Sequence, residues 1–395
     1  MNSPISDQSS SVPRSSLATS SPGPCRIEAI DGFRAFAAIW VLSLHVLYVV
    51  VSPKIPDSLW KPLYQFVAIG YLGVNLFLVL SGFCLFYPLV TGGEARLASL
   101  SSWRGITRFL TRRAWRILPS YFASIMLIMI ALTVYPMSGF ISKPTGAGDM
   151  AAHAVMVHNL FFAYVTSISV IYWSLALESQ LYIAFPGLVW LLRKLGVWIV
   201  PAVTLMISLM WSQLAVDSSR LSDPNYGFVM ANALPARLWD FACGMAAAWA
   251  VGQGIRYWQI SVFLAILGIG MGLYITVPPV GDISTALPFG SSQHWIWSPT
   301  FAILLVLACQ SPQYLWRPIA AIGEWSYSLY LVHPLTIVIA GGVGRRLNWP
   351  LLLTVAGSIG LSFAASYAFY RLVERPFLMF AKSRRMSATT GLSAQ

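Results

Sequence analysis

An all-α, polytopic membrane bundle of about ten helices is the fold class this sequence predicts, and three observations predict it. Of its 395 residues, 57% are hydrophobic and only 10% are charged, with mean hydropathy +0.68; soluble domains carry about 25% charged residues. Apolar runs long enough to cross a hydrocarbon core recur at 33–51, 70–90, 117–135, 171–192, 197–216, 235–251, 258–277, 295–310, 322–341 and 350–371. The basic residues segregate between alternate connections. With a cytoplasmic N-terminus, Lys54, Lys61, Lys143, Arg220, Arg237, Arg345 and Arg346 face outward, and the other 18 of the 25 lysines and arginines fall on inner segments. That is the positive-inside bias, and it places both termini in the cytoplasm with an even number of spans. The formal charge of +12 is then a topology signal, and no nucleic-acid partner is expected. The bilayer is the partner that composition implies, and the expected location is a cell (inner or plasma) membrane.

Residues 1–26 are rich in Ser and Pro and lack both a basic start and an apolar run, so they are expected to form a disordered cytoplasmic tail and not a secretory signal. Residues 27–380 form the expected transmembrane domain, and 381–395 a basic cytoplasmic tail. The four cysteines are scattered without metal-ligand spacing, so neither a disulfide framework nor a metal site is expected. An apolar piece at 155–168 is too short to span and is expected to be re-entrant or peripheral.

Ionisable side chains within apolar helices are costly and are functional candidates by default. The first helix opens Asp31-Gly-Phe-Arg34 and carries His45 eleven positions on. At 100° per residue that separation closes to within about 20° of three turns, so Arg34 and His45 share a face roughly 16 Å apart along the axis. The plain alternative is an interfacial anchor and a buried, hydrogen-bonded histidine. In the second helix, Ser81-Gly82 lies at mid-depth, where small residues serve close helix packing or admit a ligand. The third helix follows the basic run Arg104, Arg108, Arg112, Arg113, Arg116. Such a run binds lipid headgroups, or forms a fork-shaped phosphate site with Arg113 and Arg116 on one face at the depth of Arg34.

The fourth helix reads Tyr172-Trp173-Ser174-Leu-Ala-Leu-Glu178, and the aromatics suit an interfacial belt. Glu178 needs a partner, the simplest being a structural arginine pair. The ninth places Ser326, Tyr330 and His333 at i, i+4 and i+7, with Pro334 next. The tenth ends Tyr370-Arg371-Leu-Val-Glu374-Arg375-Pro376-Phe377, read as a capped rim with an ion pair.

In this order these segments resemble the integral-membrane acyltransferase family 3, over about Ile27 to Phe377. The D-G-x-R element and its histidine match as Asp31, Arg34 and His45, and F-F-x-x-S-G as Phe77, Leu78, Ser81 and Gly82, with Leu78 in place of an aromatic. R-x-x-R matches as Arg113 and Arg116, and W-S-L-x-x-E as Trp173, Ser174, Leu175 and Glu178. S-Y-S-L-Y-L-x-H matches as Ser326 to Leu331 with His333, and E-R-P-F as Glu374 to Phe377. Asn75 stands where many members have Asp, and Ser179 where many have Glu.

The resemblance implies O-acylation, commonly O-acetylation, of a carbohydrate or glycosylated acceptor. Acyl-CoA, most commonly acetyl-CoA, would be the co-substrate, with no metal. Members often carry a fused soluble domain, so this chain is expected to act alone or with a separate soluble partner. Arg34, Arg113 and Arg116 would hold the phosphates of CoA. His45 would serve as general base or as covalent acyl carrier. Glu178 would balance the imidazolium, Ser81 and Tyr330 would donate to an oxyanion, and His333 is a second base candidate. The rival readings are a proton-coupled transporter or flippase relaying through His45, Glu178 and His333, and an enzyme whose acceptor, such as a macrolide-type product, stays in the cytoplasm.

Overall fold

The computed structural model describes residues 27–51, 59–134, 140–218, 224–276 and 293–381. Each predicted apolar run overlaps a helix, and the run at 322–341 begins in one helix and continues in the next after a turn at 324–325. The long elements are α1 (Glu28–Val46), α2 (Leu72–Thr91), α3 (Trp103–Val134), α4 (Ala147–Ala154), α5 (Tyr172–Leu195), α6 (Ile199–Ser218), α7 (Leu234–Gly252), α8 (Trp258–Thr276), α9 (His294–Gln310), α10 (Arg317–Gly323), α11 (Ser326–Arg346) and α12 (Leu351–Phe369). Among the described residues there is no strand beyond an isolated bridge between Ile141 and Ser169. The expected 1–26 tail and, after Ala381, the expected basic tail lie outside the described residues.

Among the described residues, seven helical stretches are long and apolar enough to cross a membrane, or eight if His294–Gln310 and Gln313–Gly323, bent by 118°, count as one span. The expected count of ten included two further helices. One is α7, which carries Arg237 and Asp240 and packs most of one face into the bundle. The other is α6, whose apolar part, Ile199–Ala215, is short. The charges on α7 are matched inside the protein: Asp240 accepts from His294 Nδ1 at 2.9 Å, Ser298 Oγ at 2.7 Å and Arg237 Nη1 at 3.3 Å. A buried charge persists only when paired in this way.

Helix α8 shows what faces lipid: Ile260, Phe263, Ile266 and Tyr274 are all exposed. Helix α11 is the opposite, enclosed over most of its length between α12 and α1. Helices α2 and α7 cross almost in backbone contact. A Cβ on Gly82 would lie 2.0 Å from the Phe241 carbonyl oxygen, and one on Gly244 would lie 1.9 Å from that of Val79. Small residues at a membrane-helix crossing allow this approach, and the crossing fixes the wall of α2 that carries Ser81.

The 140–171 segment leaves α3, forms α4 and a 3₁₀ turn (His158–Leu160), and returns to α5. Its ends are tied by Ser142 N–H to the Ile168 carbonyl at 3.3 Å and Val170 N–H to the Phe140 carbonyl at 3.2 Å. The middle of this loop reaches Arg113: Ala154, Val155 and Met156 share a cavity of about 340 Å³ with Arg113 and Tyr182. Inside the loop the His153 and His158 rings stack 3.8 Å apart, and His153 Nδ1 lies 3.0 Å from Asp149 Oδ1. Burial pushes the His158 imidazole down to about 3, and the His153 imidazole is lowered by the same cause.

Candidate active site

Three cavities adjoin one another through shared lining residues, and α1 lines the first and the third. The first, about 390 Å³, has Arg34, Arg113 and Arg116 in its wall, with Asp31, Glu178, Glu324 and Glu374 as the acidic residues. The second is a neck of about 60 Å³ that shares Phe77, Ser81, Glu178 and Tyr327 with the first. The third, again about 390 Å³, shares Val74 and Tyr330 with the neck and contains His45 among Tyr48, Tyr71, Phe140, Trp173 and Phe228. All eight candidate residues are therefore on this route or, for His333, in contact with a residue that is.

At the arginine end, Arg34 Nη1 donates to Asp31 Oδ1 at 2.9 Å and Nη2 to Cys84 Sγ at 3.1 Å. The Cys84 sulfur thus accepts from a guanidinium in a cavity wall. The Arg113 guanidinium lies over the Phe109 and Tyr182 rings, 5.6 and 5.7 Å from their centroids. Stacking of that kind pins a guanidinium while leaving its in-plane donors for an anion. Glu374 was read as one half of an ion pair capping the last helix. Instead its carboxylate accepts from Ser328 Oγ at 2.5 Å and shares the cavity wall with Arg116. It sits on a π-helical turn, Tyr370–Glu374, and such turns concentrate at functional sites.

In the neck, Glu178 accepts from Ser81 Oγ at 2.8 Å and from the Tyr182 hydroxyl. Among the described residues its hydrogen-bond partners are hydroxyls, and Arg113 acts on it only through space. Ser174 Oγ donates to the Ile171 carbonyl at 2.9 Å, and the Tyr330 hydroxyl lies 2.7 Å from Ser174 Oγ. The hydroxyl protons of Ser81 and Tyr330 are thus committed within the neck, and their oxygens remain as acceptors.

At the far end, His45 Nδ1 is 2.7 Å from His333 Nε2, the rings are within 12° of parallel, and His333 Nδ1 is 2.9 Å from the Leu329 carbonyl. A carbonyl only accepts, so His333 Nδ1 carries a proton. With both rings neutral, His333 Nε2 is then an acceptor and His45 Nδ1–H donates to it. The lone pair of the outer histidine is left on His45 Nε2. His333 is buried and absent from the cavity walls; His45 is the ring that lines the chamber. The chain winds into a second π-helical turn, Leu47–Val51, directly after His45.

Sequence reasoning passed over Tyr182, Ser328, Tyr327 and Cys84, all of which line the arginine cavity or hold a residue that does. Tyr182 was within reach of a helical reading, being four residues after Glu178 and so on its face. Ser328 was not, because its partner lies 46 residues away. Among the described residues no group of three or more His, Cys, Asp or Glu is placed to hold a metal ion.

A family profile described as an acyltransferase domain matches residues 27–371. The chain belongs to acyltransferase family 3. The match begins just before α1 and ends inside the turn that carries Glu374, so it takes in every residue lining the three cavities except Glu374. The O-acetyltransferase OatA of Staphylococcus aureus (strain NCTC 8325 / PS 47) is 25% identical, over 89% of this chain and 57% of the relative. The YrhL protein of Bacillus subtilis (strain 168), provisionally named a peptidoglycan O-acetyltransferase, is 24% identical over 89% of this chain and 54% of its own length. The acyltransferase MdmB of Streptomyces mycarofaciens is 21% identical, over 93% and 96% respectively. This chain therefore spans little more than half of the first two relatives and nearly all of the third. No solved structure matches.

Proposed function

We propose that this family 3 acyltransferase moves an acyl group, in the simplest case acetyl, from cytoplasmic acyl-CoA to a hydroxyl of a carbohydrate or glycosylated acceptor bound near His45. The observation that carries the reading is the series of adjoining cavities, with three arginines at one end and His45 Nε2 at the other. The names of the OatA and YrhL relatives support O-acetylation, and that of YrhL makes a cell-wall glycan one candidate acceptor.

In this reading the phosphates of the donor rest on Arg34, Arg113 and Arg116, where planar guanidinium forks suit phosphate oxygens. The flexible arm runs through the neck, past the acceptor oxygens of Ser81 and Tyr330. The helical rise between Arg34 and His45, roughly 16 Å, suits such an arm. His45 Nε2 takes the proton of the acceptor hydroxyl. The hydroxyl oxygen attacks the thioester carbonyl, the C–O bond forms, and the C–S bond breaks. The proton passes from His45 to the departing thiolate, which leaves as free CoA. His333 is a positioning residue: it fixes the tautomer that aims the Nε2 lone pair at the chamber. Glu178 holds Ser81 and Tyr182, and Tyr182 in turn backs Arg113. The neck, at about 60 Å³, admits a thin arm and not a glycan, which favours acyl transfer over a transporter.

The test uses membranes containing the chain, supplied with labelled acetyl-CoA. Release of free CoA that is lost in His45→Ala, together with label in an envelope glycan or glycosylated metabolite identified by mass spectrometry, is expected. Undiminished release in a correctly inserted His45→Ala protein removes His45 from the reaction.

A further inference from the structure

The neck also imposes a shape requirement on the donor. In the acyl-transfer reading, a donor arm running from the arginine cavity to His45 passes Val74, Phe77, Leu78 and Leu175. Its volume of about 60 Å³ corresponds to roughly four to six water-sized positions, a short length of unbranched chain. The chambers on either side are each about 390 Å³, so the constriction is confined to this one level.

The constriction cannot widen by moving α2 outward. Behind Leu78 and Ser81, Gly82 and the Val79 carbonyl already meet the backbone of α7 at distances that leave no room even for a Cβ. Leu78 and Leu175 are themselves buried at 3% and 4% exposure, packed behind as well as facing the passage. A close-packed interior gives way to added volume only at a cost.

We propose that the neck is a girth filter on the acyl group: straight chains pass to His45, whereas branched and aromatic acyl groups are refused, with Leu78 and Leu175 setting the limit. The proposal rests on the acyl-transfer reading above and adds to it a class of donor. Because the filter acts on cross-section, it distinguishes isobutyryl from butyryl, two groups of equal carbon number. Discrimination by a single methylene or branch in an apolar passage is typically about 10- to 200-fold.

The experiment measures His45-dependent CoA release from acetyl-, butyryl-, isobutyryl- and benzoyl-CoA by membranes carrying the chain, with His45→Ala membranes as background. Acetyl and butyryl donors are expected within about tenfold of each other, and isobutyryl and benzoyl donors at least about tenfold slower than butyryl. Leu78→Ala and Leu175→Ala are each expected to raise the isobutyryl-to-butyryl ratio by about tenfold, while eluting from detergent as the parent protein does. Wild-type release from benzoyl-CoA as fast as from acetyl-CoA overturns the filter, even if neither variant folds. So does an unchanged ratio in both folded variants. If no donor gives release above that of membranes lacking the chain, the acyl-transfer reading itself fails, and the filter falls with it.

Discussion

The arginine cavity and the histidine chamber have the same volume, about 390 Å³, and opposite chemistry. The first concentrates charge: three guanidiniums and four carboxylates, with Arg34 partly exposed beside Asp31 and Arg113 held over two rings. The second is built of aromatic and aliphatic walls around one imidazole whose polar partner, His333, is hidden behind it. Charges gathered where anionic phosphates must be held gain from multiple donors. A base in an apolar chamber gains instead from a single defined lone pair and from the exclusion of water. In the proposed reading, binding and chemistry are kept apart by about three turns of one helix, and among the described residues the two cavities share no lining residue.

The sharpest way to break this division is to remove the base while leaving the phosphate site intact. His45→Ala should lower acyl transfer by about 10²- to 10⁴-fold. Binding of a non-transferable CoA analogue, measured by calorimetry on detergent-solubilised protein, should stay unchanged. A parallel loss of binding would mean the two ends are not separate.

The converse change comes next in size. Arg113→Ala and Arg34→Ala should each weaken donor binding by about 10- to 100-fold, the value of a lost charge-assisted hydrogen bond. That effect should appear in KM and not in kcat, and KM of the parent should rise with salt. A kcat defect with unchanged KM would move these arginines from binding to chemistry.

A smaller effect sharpens the account of the chamber. His333→Ala should slow turnover by about tenfold or less, the order of one neutral hydrogen bond, and should change the shape of the pH–rate profile, because His45 loses the partner that fixes its tautomer. His333→Gln, whose side-chain carbonyl can still accept from His45 Nδ1–H, should recover part of the rate. A His333→Gln variant no better than alanine would argue against a tautomer-fixing role.

The smallest effect lies outside the route, in the loop between α3 and α5. His158 is neutral when folded, with its proton affinity lowered to about 3 against 6.5. Between those values the unfolded chain binds more protons, so stability rises with pH, and what is present above about 6.5 is lost as pH falls toward 3. Thermal unfolding in detergent should show that acid sensitivity, and it should be milder in His158→Gln. Equal sensitivity in the variant would assign it to other groups.

Legibility in the sequence was uneven for identifiable reasons. Helix positions were readable because lipid demands a continuous apolar run of nearly constant length, and each run overlaps a helix. The face shared by Arg34 and His45 was readable because both lie on one helix, where spacing fixes direction. The partner of Glu178 was not: an arginine or His45 was the natural expectation, but it engages Ser81 on α2 and Tyr182 one turn further along its own helix. Glu374 was assigned to a capping role because its neighbour Arg375 is adjacent in sequence, whereas its hydrogen bond is to Ser328 on α11. His333 looked equivalent to His45 as a base, and only the Leu329 carbonyl on one side and His45 on the other distinguish their roles.

By itself, then, the sequence determined that this chain is a helical membrane protein, where its helices run, and which helix carries an arginine and a histidine on one stripe. Those properties depend on hydropathy and on the 3.6-residue period, both local. Only the tertiary structure decided which residues are mutual partners, where the passage narrows, and which nitrogen of His45 faces the chamber. Those depend on how Gly82 and Gly244 let two helices meet, and on side chains brought together from helices distant in the chain.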